Sequence, residues 1–207
     1  MAGTSQTLTL QAVGGRVQAV CDKPLGLSKG LAVIAHPHPL FGGTMDNKVV
    51  QTLAKACVAA DWECLRFNFR GVGDSEGVFD AGRGETEDLL QLVGQWPADM
   101  PLVLAGFSFG AFVVCQAVQA LWASARIQKI LLVGTAVTHF VAPPLPADAL
   151  ECALVVHGET DDTVALSAVM DWARPQQLPV MVLPGTGHFF HGQLPLLKSL
   201  ALRHLRA

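Results

Sequence analysis

The sequence has few charged residues and no concentration of either sign. Only 15% of its 207 residues are Asp, Glu, Lys or Arg, and the formal net charge is −3. Because nucleic-acid binding needs a basic patch that neutralises phosphates, this composition argues against nucleic acid as a partner. The low charge leaves room for self-association, including a homodimer, but it does not indicate an oligomeric state.

Long hydrophobic runs are also missing, although 51% of the residues are hydrophobic. No uninterrupted apolar stretch approaches the ~20 residues that a membrane-spanning helix needs. The first ten residues lack the basic and apolar regions of a signal peptide. We therefore expect no membrane segment and no secretory leader, and we attribute the apolar composition to the core of a single domain over residues 1–207.

Cysteine is scarce and irregularly spaced. There are five cysteines, an odd number, and none form a Cys-x-x-Cys pair. This spacing argues against a disulfide framework and against a zinc site. We expect buried, apolar thiols in a reducing compartment, and hence a cytoplasmic protein.

What the sequence does contain is a regular alternation of strand-like and helix-like segments. Two alternating runs, 7–12 and 16–21, flank a glycine pair and predict a hairpin. Further strands are predicted at 31–35, 63–68, 101–107, 127–135, 153–157 and 179–183, and helices at 49–60, 86–96, 111–122, 165–173 and 194–205. This order predicts an α/β fold with an eight-stranded, mostly parallel sheet and helices on both faces.

One stretch, 102–114, carries the clearest chemical signal. Its apolar run ends in Gly106-Phe107-Ser108-Phe109-Gly110 and continues as a helix-like segment. A Gly-x-Ser-x-Gly pattern between strand and helix predicts a sharp turn that exposes the serine hydroxyl beside a helix N-terminus. Taken by itself, the motif is also compatible with an ordinary glycine-rich turn.

A serine nucleophile needs a neighbouring base, and that base needs an acid that orients it. The strand 153–157 runs into an acidic turn that contains Asp161, and the last strand leads to His188. In a parallel sheet both positions lie at the carboxyl edge, where Ser108 is also expected. The chain order Ser108, Asp161, His188 is the one expected after this elbow, so we predict a catalytic triad.

Rival residues stand close to both partners of the serine. Glu159 and Asp162 flank the predicted acid, and His191 follows the predicted base by three residues. His188 is preferred because glycines at 185 and 187 permit a tight turn directly after the strand.

The elbow, the acidic turn and the terminal Gly-His together resemble the α/β-hydrolase fold over essentially the whole chain. The strings 35–50, which contains His-Pro-His-Pro, and 66–77 are similar to small bacterial α/β-hydrolases described as predicted esterases or dienelactone-hydrolase-like proteins. The resemblance favours Asp161, since relatives of this fold space the acid as Gly-x-x-Asp-x-x-Val. Dienelactone hydrolases carry cysteine at the elbow, whereas this chain has Ser108, so their chemistry is not transferred.

The same resemblance implies an oxyanion hole made of two backbone N–H groups. One belongs to the residue after the nucleophile, Phe109, and the other to the loop after the third strand, 36–40. The prolines of that loop have no N–H, which leaves His38 or Leu40. Analogy with His-Gly-x-Pro loops favours His38.

A lid domain is not expected, because the connection 136–152 is too short to form one. The resemblance thus implies a lidless serine esterase with an open site, which cleaves small-molecule esters through an acyl-enzyme without metal or organic cofactor. A thioesterase or a hydrolase of small peptides would use the same triad. A non-catalytic binding scaffold is the alternative of a different class. Arg70 and Asp74 are expected to brace the floor of the site.

Overall fold

The computed structural model describes residues 3–207. The strands are β1 (Thr4–Ala12), β2 (Gly15–Lys23), β3 (Leu31–Ala35), β4 (Glu63–Phe67), β5 (Leu102–Phe107), β6 (Ile127–Val133), β7 (Ala153–Gly158) and β8 (Val180–Leu183). The α-helices are α1 (Lys48–Ala59), α2 (Arg83–Val93), α3 (Phe109–Leu121), α4 (Leu166–Ala173) and α5 (Leu194–Arg206). Short 3₁₀ helices lie at Pro39–Phe41, Trp122–Ser124, Ala147–Cys152 and Arg174–Gln176.

All eight strands form one sheet in the order β1-β2-β4-β3-β5-β6-β7-β8. The hairpin β1–β2 and the pair β2–β4 are antiparallel, and every other neighbouring pair is parallel. The predicted eight-stranded, mostly parallel sheet is therefore confirmed. The carboxyl ends of β3 to β8 lie at one edge, which brings the loops that follow them together.

Helices cover both faces of the sheet, as the alternating side-chain directions along β3 show. In β3, Leu31, Val33 and Ala35 pack into the core beneath α2, α3 and α4, whereas Ala32 and Ile34 face α1 and α5. Burial on both sides explains why β3 and β5 are apolar throughout, with no polar position between. Four of the five cysteines are buried in these layers and all five are free thiols.

The largest errors in the predicted boundaries are at β1 and α2. β1 begins at Thr4 rather than residue 7, because its polar residues pair with β2 up to Lys23. α2 begins at Arg83 rather than residue 86, because the Glu85 carboxylate accepts hydrogen bonds from the N–H groups of Asp80 (2.9 Å) and Gly82 (2.7 Å). It ends at Val93, before the predicted stop at Pro97.

The connection between β6 and β7 contains a single short 3₁₀ helix, Ala147–Cys152, and no lid, as expected. The carboxyl edge of the sheet is therefore not covered by an inserted domain. Over residues 3–207, none of the helices combines the length and apolar character that crossing a bilayer requires.

Candidate active site

Ser108 occupies a sharp turn between β5 and α3 with φ 56° and ψ −117°, a backbone conformation that L-residues rarely adopt. Two flanking glycines make the turn possible. A Cβ on Gly106 would lie 2.4 Å from the Gly110 carbonyl carbon, and a Cβ on Gly110 would lie 2.2 Å from the Ala35 oxygen. The turn therefore presses the start of α3 against the end of β3, and no larger residue fits at either position.

The structure brings the three predicted side chains into one hydrogen-bonded chain. His188 Nε2 lies 3.0 Å from Ser108 Oγ, and His188 Nδ1 lies 2.7 Å from Asp161 Oδ2. All three residues are buried. The imidazole is also flanked by two rings, with centroids 5.0 Å away for Phe107 and 5.1 Å away for Phe189. This geometry can pass a proton from the hydroxyl to the imidazole.

Asp161 is held by the turn that follows β7. Its Oδ1 accepts hydrogen bonds from the N–H groups of Thr163 (3.0 Å) and Val164 (2.7 Å), which leaves Oδ2 for His188. Burial by itself would raise the pKa of Asp161, but the bonds from His188 and Val164 outweigh it and lower the pKa below its ordinary value. The carboxyl group is therefore ionised at neutral pH.

The rival residues have other partners. The Glu159 carboxylate accepts from the Gly185 N–H at 2.8 Å, which closes the loop before His188. Asp162 is exposed and accepts from the Thr163 hydroxyl. His191 is exposed, and its ring lies 6.0 Å from that of Phe189.

Sequence reasoning missed a second histidine beside the acid. His157 Nε2 lies 2.9 Å from the Val164 carbonyl oxygen and 3.5 Å from Asp161 Oδ2. Burial is the main reason that the pKa of His157 is lowered, so the ring is neutral. Because Nε2 donates to Val164, Nδ1 is an acceptor, and this buried atom has no partner among residues 3–207. The available signal was a histidine within an otherwise apolar strand, four residues before the predicted acid.

The loop after β3 lies beside the nucleophile and contains the two candidate oxyanion donors, the backbone N–H groups of His38 and Leu40. The Leu40 N–H donates to His38 Nδ1 at 3.2 Å. By contrast, within the described chain no oxygen accepts the backbone N–H of His38 or of Phe109. The rings of these two residues are 5.0 Å apart. The comparison favours His38 over Leu40 as the second oxyanion donor.

Arg70 and Asp74 lie in the glycine-rich loop after β4. Both Arg70 Nε and Nη2 donate to Asp88 at 2.8 Å, and Asp88 also accepts from the Gly14 N–H at 2.8 Å. Arg70 thus ties the loop to α2 and, through Asp88, to the β1–β2 turn. Asp74 is exposed, and its N–H donates to Gln18. No group of three or more His, Cys, Asp or Glu residues among residues 3–207 is arranged to hold a metal ion.

Comparison with known proteins adds relatives over nearly the full chain, although no model of a protein family matches it. An uncharacterized protein of Rickettsia prowazekii is 32% identical over 195 residues, which cover 85% of this chain and 78% of that protein. An α/β serine hydrolase without lid from Xanthomonas campestris has a TM-score of 0.85 and 32% identity, covering 98% of this chain and 94% of that one. An α/β serine hydrolase homologue from Coxiella burnetii has a TM-score of 0.81 and 33% identity, with 97% of both chains covered.

Proposed function

Since the chain belongs to the α/β serine hydrolases without a lid, we propose that it is a carboxylesterase that cleaves small carboxylic esters through Ser108, His188 and Asp161. The observation that carries this proposal is the continuous hydrogen-bonded chain from Ser108 Oγ through both ring nitrogens of His188 to Asp161 Oδ2. An ionised acid fixes the proton of His188 on Nδ1, so Nε2 is free to accept the serine proton.

The reaction proceeds in two halves. Ser108 Oγ attacks the ester carbonyl carbon while His188 Nε2 takes the hydroxyl proton, and the carbonyl oxygen becomes an oxyanion that accepts from the N–H groups of Phe109 and His38. Collapse of this intermediate breaks the ester C–O bond, and His188 gives its proton to the departing alcohol. Water then attacks the acyl-enzyme with the same base, and the carboxylic acid leaves. Asp161 stays ionised throughout.

Small esters are favoured because no lid encloses the site. The β6–β7 connection inserts no domain over the carboxyl edge of the sheet, so no lid is present to enclose an extended acyl chain. We expect p-nitrophenyl acetate and butanoate to be better substrates than long-chain esters. Comparing kcat/KM for esters and thioesters with the same acyl group measures how strongly the leaving group affects the reaction.

Matched substitutions test the assignment. Ser108→Ala removes the nucleophile and abolishes turnover of p-nitrophenyl butanoate. Asp161→Asn lowers kcat by about three to four orders of magnitude, because the amide does not stabilise the imidazolium. Asp162→Asn is the matched control and keeps nearly full activity. Retained activity in Ser108→Ala, or a larger loss in Asp162→Asn than in Asp161→Asn, would contradict the proposal.

A further inference from the structure

The rings near the candidate oxyanion donors extend from the core to the surface. The buried Phe109 ring has five aromatic neighbours with centroids 5.0 to 5.8 Å away. These neighbours are His38, Phe69, Phe79, Phe112 and Phe140. The His38 ring in turn contacts Phe41 at 4.7 Å, and Phe41 is 86% exposed. A contiguous apolar cluster that reaches the surface is typical of a ligand-binding site.

Three separate loops place phenylalanines around the His38 ring. The loops after β3, β4 and β6 each contain a phenylalanine next to an exposed aliphatic residue. We call these residues the aromatic rim: Leu40, Phe41, Val78, Phe79, Phe140 and Val141. The three rings of the rim all lie within 5.8 Å of the His38 ring, centroid to centroid. The rim is therefore one apolar surface built from three strand ends.

Unpaired Lys and Arg side chains are absent from the loops that carry the rim. The segments 36–47, 68–82 and 134–152 contain one Lys or Arg, Arg70, whose guanidinium donates two hydrogen bonds to the Asp88 carboxylate, from Nε and Nη2. Arg83, at the start of α2, is paired with Asp80 at 2.9 Å. Burial lowers the pKa of His38, so its ring is neutral at pH 7. A negatively charged substituent would find no unpaired Lys or Arg side chain in these loops.

The position of the rim fixes which half of an ester it can meet. His188 has to protonate the leaving alcohol, so the alcohol lies towards His188 and Phe189. The rim surrounds His38 and Phe109, on the side of the oxyanion donors, and its rings are a different set from those that contact His188. The acyl group therefore faces the rim.

We propose that the aromatic rim binds an uncharged aryl group in the acyl part of the substrate, which makes aryl-substituted carboxylic esters of small alcohols the preferred substrate class. This inference rests on the proposed esterase function. An aryl group adds one more ring to a cluster whose members already contact each other at tilted and edge-to-face angles. Such ring pairs favour an aromatic over a saturated ring of the same size.

The test compares kcat/KM for methyl 3-phenylpropanoate and methyl 3-cyclohexylpropanoate, which differ in aromaticity and little in size. We expect the phenyl ester to be preferred by about two- to tenfold. The 4-carboxyphenyl analogue is expected to react more slowly than the phenyl ester. Equal rates for phenyl and cyclohexyl, or faster hydrolysis of the charged analogue, would overturn the inference.

Two variants test whether the aromatic rim causes the preference for the phenyl ester. Phe41→Leu keeps an apolar side chain at an exposed position but removes the ring, so the phenyl-to-cyclohexyl ratio falls towards one. Leu27→Ala, at a position that is 96% exposed in the β2–β3 connection, is the control and keeps the wild-type ratio. An unchanged ratio in Phe41→Leu would overturn the assignment to the rim.

Labelling of Ser108 by a fluorophosphonate separates this inference from the proposed function. A protein that labels but cleaves neither methyl ester, or cleaves both equally, contradicts the aryl-acyl inference and leaves the serine hydrolase assignment standing. A protein that neither labels nor cleaves contradicts both.

Discussion

The backbone N–H of Phe69 donates a hydrogen bond to His36 Nε2 at 2.9 Å. On the other side of the same ring, Nδ1 donates to the Pro37 carbonyl oxygen at 2.6 Å. The imidazole is fully buried, and its ring centroid lies 4.5 Å from that of Phe69. His36 therefore connects the loop after β3, which holds the candidate oxyanion donor His38, to the loop after β4.

This connection predicts a dependence of stability on pH. Burial disfavours the imidazolium and lowers the pKa of His36 to about 4 from its ordinary 6.5. The unfolded chain binds a proton below about pH 6.5, whereas the folded protein does so only near pH 4. The contribution of neutral His36 to the free energy of unfolding is thus complete above pH 6.5. It decreases as the pH falls from 6.5 through about 4, and about 2 kcal/mol of it is lost by pH 5.

Urea unfolding at pH 7, 6 and 5 measures the effect. His36→Asn is less stable than wild type at pH 7, because two buried hydrogen bonds are changed, but its stability falls less steeply towards pH 5. Other buried histidines contribute equally to both proteins, so the difference in slope isolates His36. Parallel pH profiles for the two proteins would contradict this account.

The contact between Gly110 and Ala35 predicts a steric cost at the elbow. In Gly110→Ala the new Cβ would lie 2.2 Å from the Ala35 carbonyl oxygen, so α3 has to move away from β3. We expect a loss of several kcal/mol in unfolding free energy and a large loss of activity. Gly94→Ala is the control, since its Cβ meets its nearest atom at 3.4 Å, with negative φ.

Thermal unfolding and p-nitrophenyl butanoate turnover report both effects. Gly94→Ala is expected to keep the wild-type melting temperature within a few degrees. Equal melting temperatures for the two glycine variants would show that the close approach of α3 to β3 is not required.

His157 is predicted to position the acid. Its Nε2–H holds the Val164 carbonyl, and Val164 N–H in turn donates to Asp161, so removing the ring loosens the turn that carries the carboxylate. We expect His157→Gln to lower kcat about tenfold with little change in KM, because substrate contacts are unaffected. His204→Gln is a matched control: His204 Nε2 contacts the Cys152 carbonyl oxygen at 3.0 Å, outside the candidate site.

The pH profile of kcat distinguishes positioning from general destabilisation. His157→Gln is expected to shift the acidic limb of the profile, because a loosened Asp161 no longer holds His188 in the same way. His204→Gln is expected to leave the limb in place. A wild-type limb in His157→Gln, with only a lower melting temperature, would assign His157 a purely structural role.

Most of the architecture could be predicted because it follows from short-range patterns. Two-sided burial makes β3 and β5 uniformly apolar. The elbow positions require glycine because a Cβ there would lie only 2.2 to 2.4 Å from a backbone atom. The start of α2 was not predictable from periodicity, since Glu85 caps it through backbone N–H groups that precede the helix.

Details of the site depend on which side chains and backbone groups meet in the folded loops. The choice between His38 and Leu40 rests on a ring nitrogen that accepts the Leu40 N–H. The pairing of Arg70 with Asp88 joins residues 18 positions apart on different elements, and the contact of His157 with Asp161 depends on the turn after β7. A sequence pattern lists such residues but does not say which of them touch.

If Ser108 is an activated nucleophile, a fluorophosphonate phosphonylates it, and intact-mass spectrometry detects the added mass. We expect a single phosphonyl adduct on the wild-type protein and none on a folded Ser108→Ala variant. An unmodified wild-type protein, or an adduct that persists in Ser108→Ala, would contradict this role of Ser108.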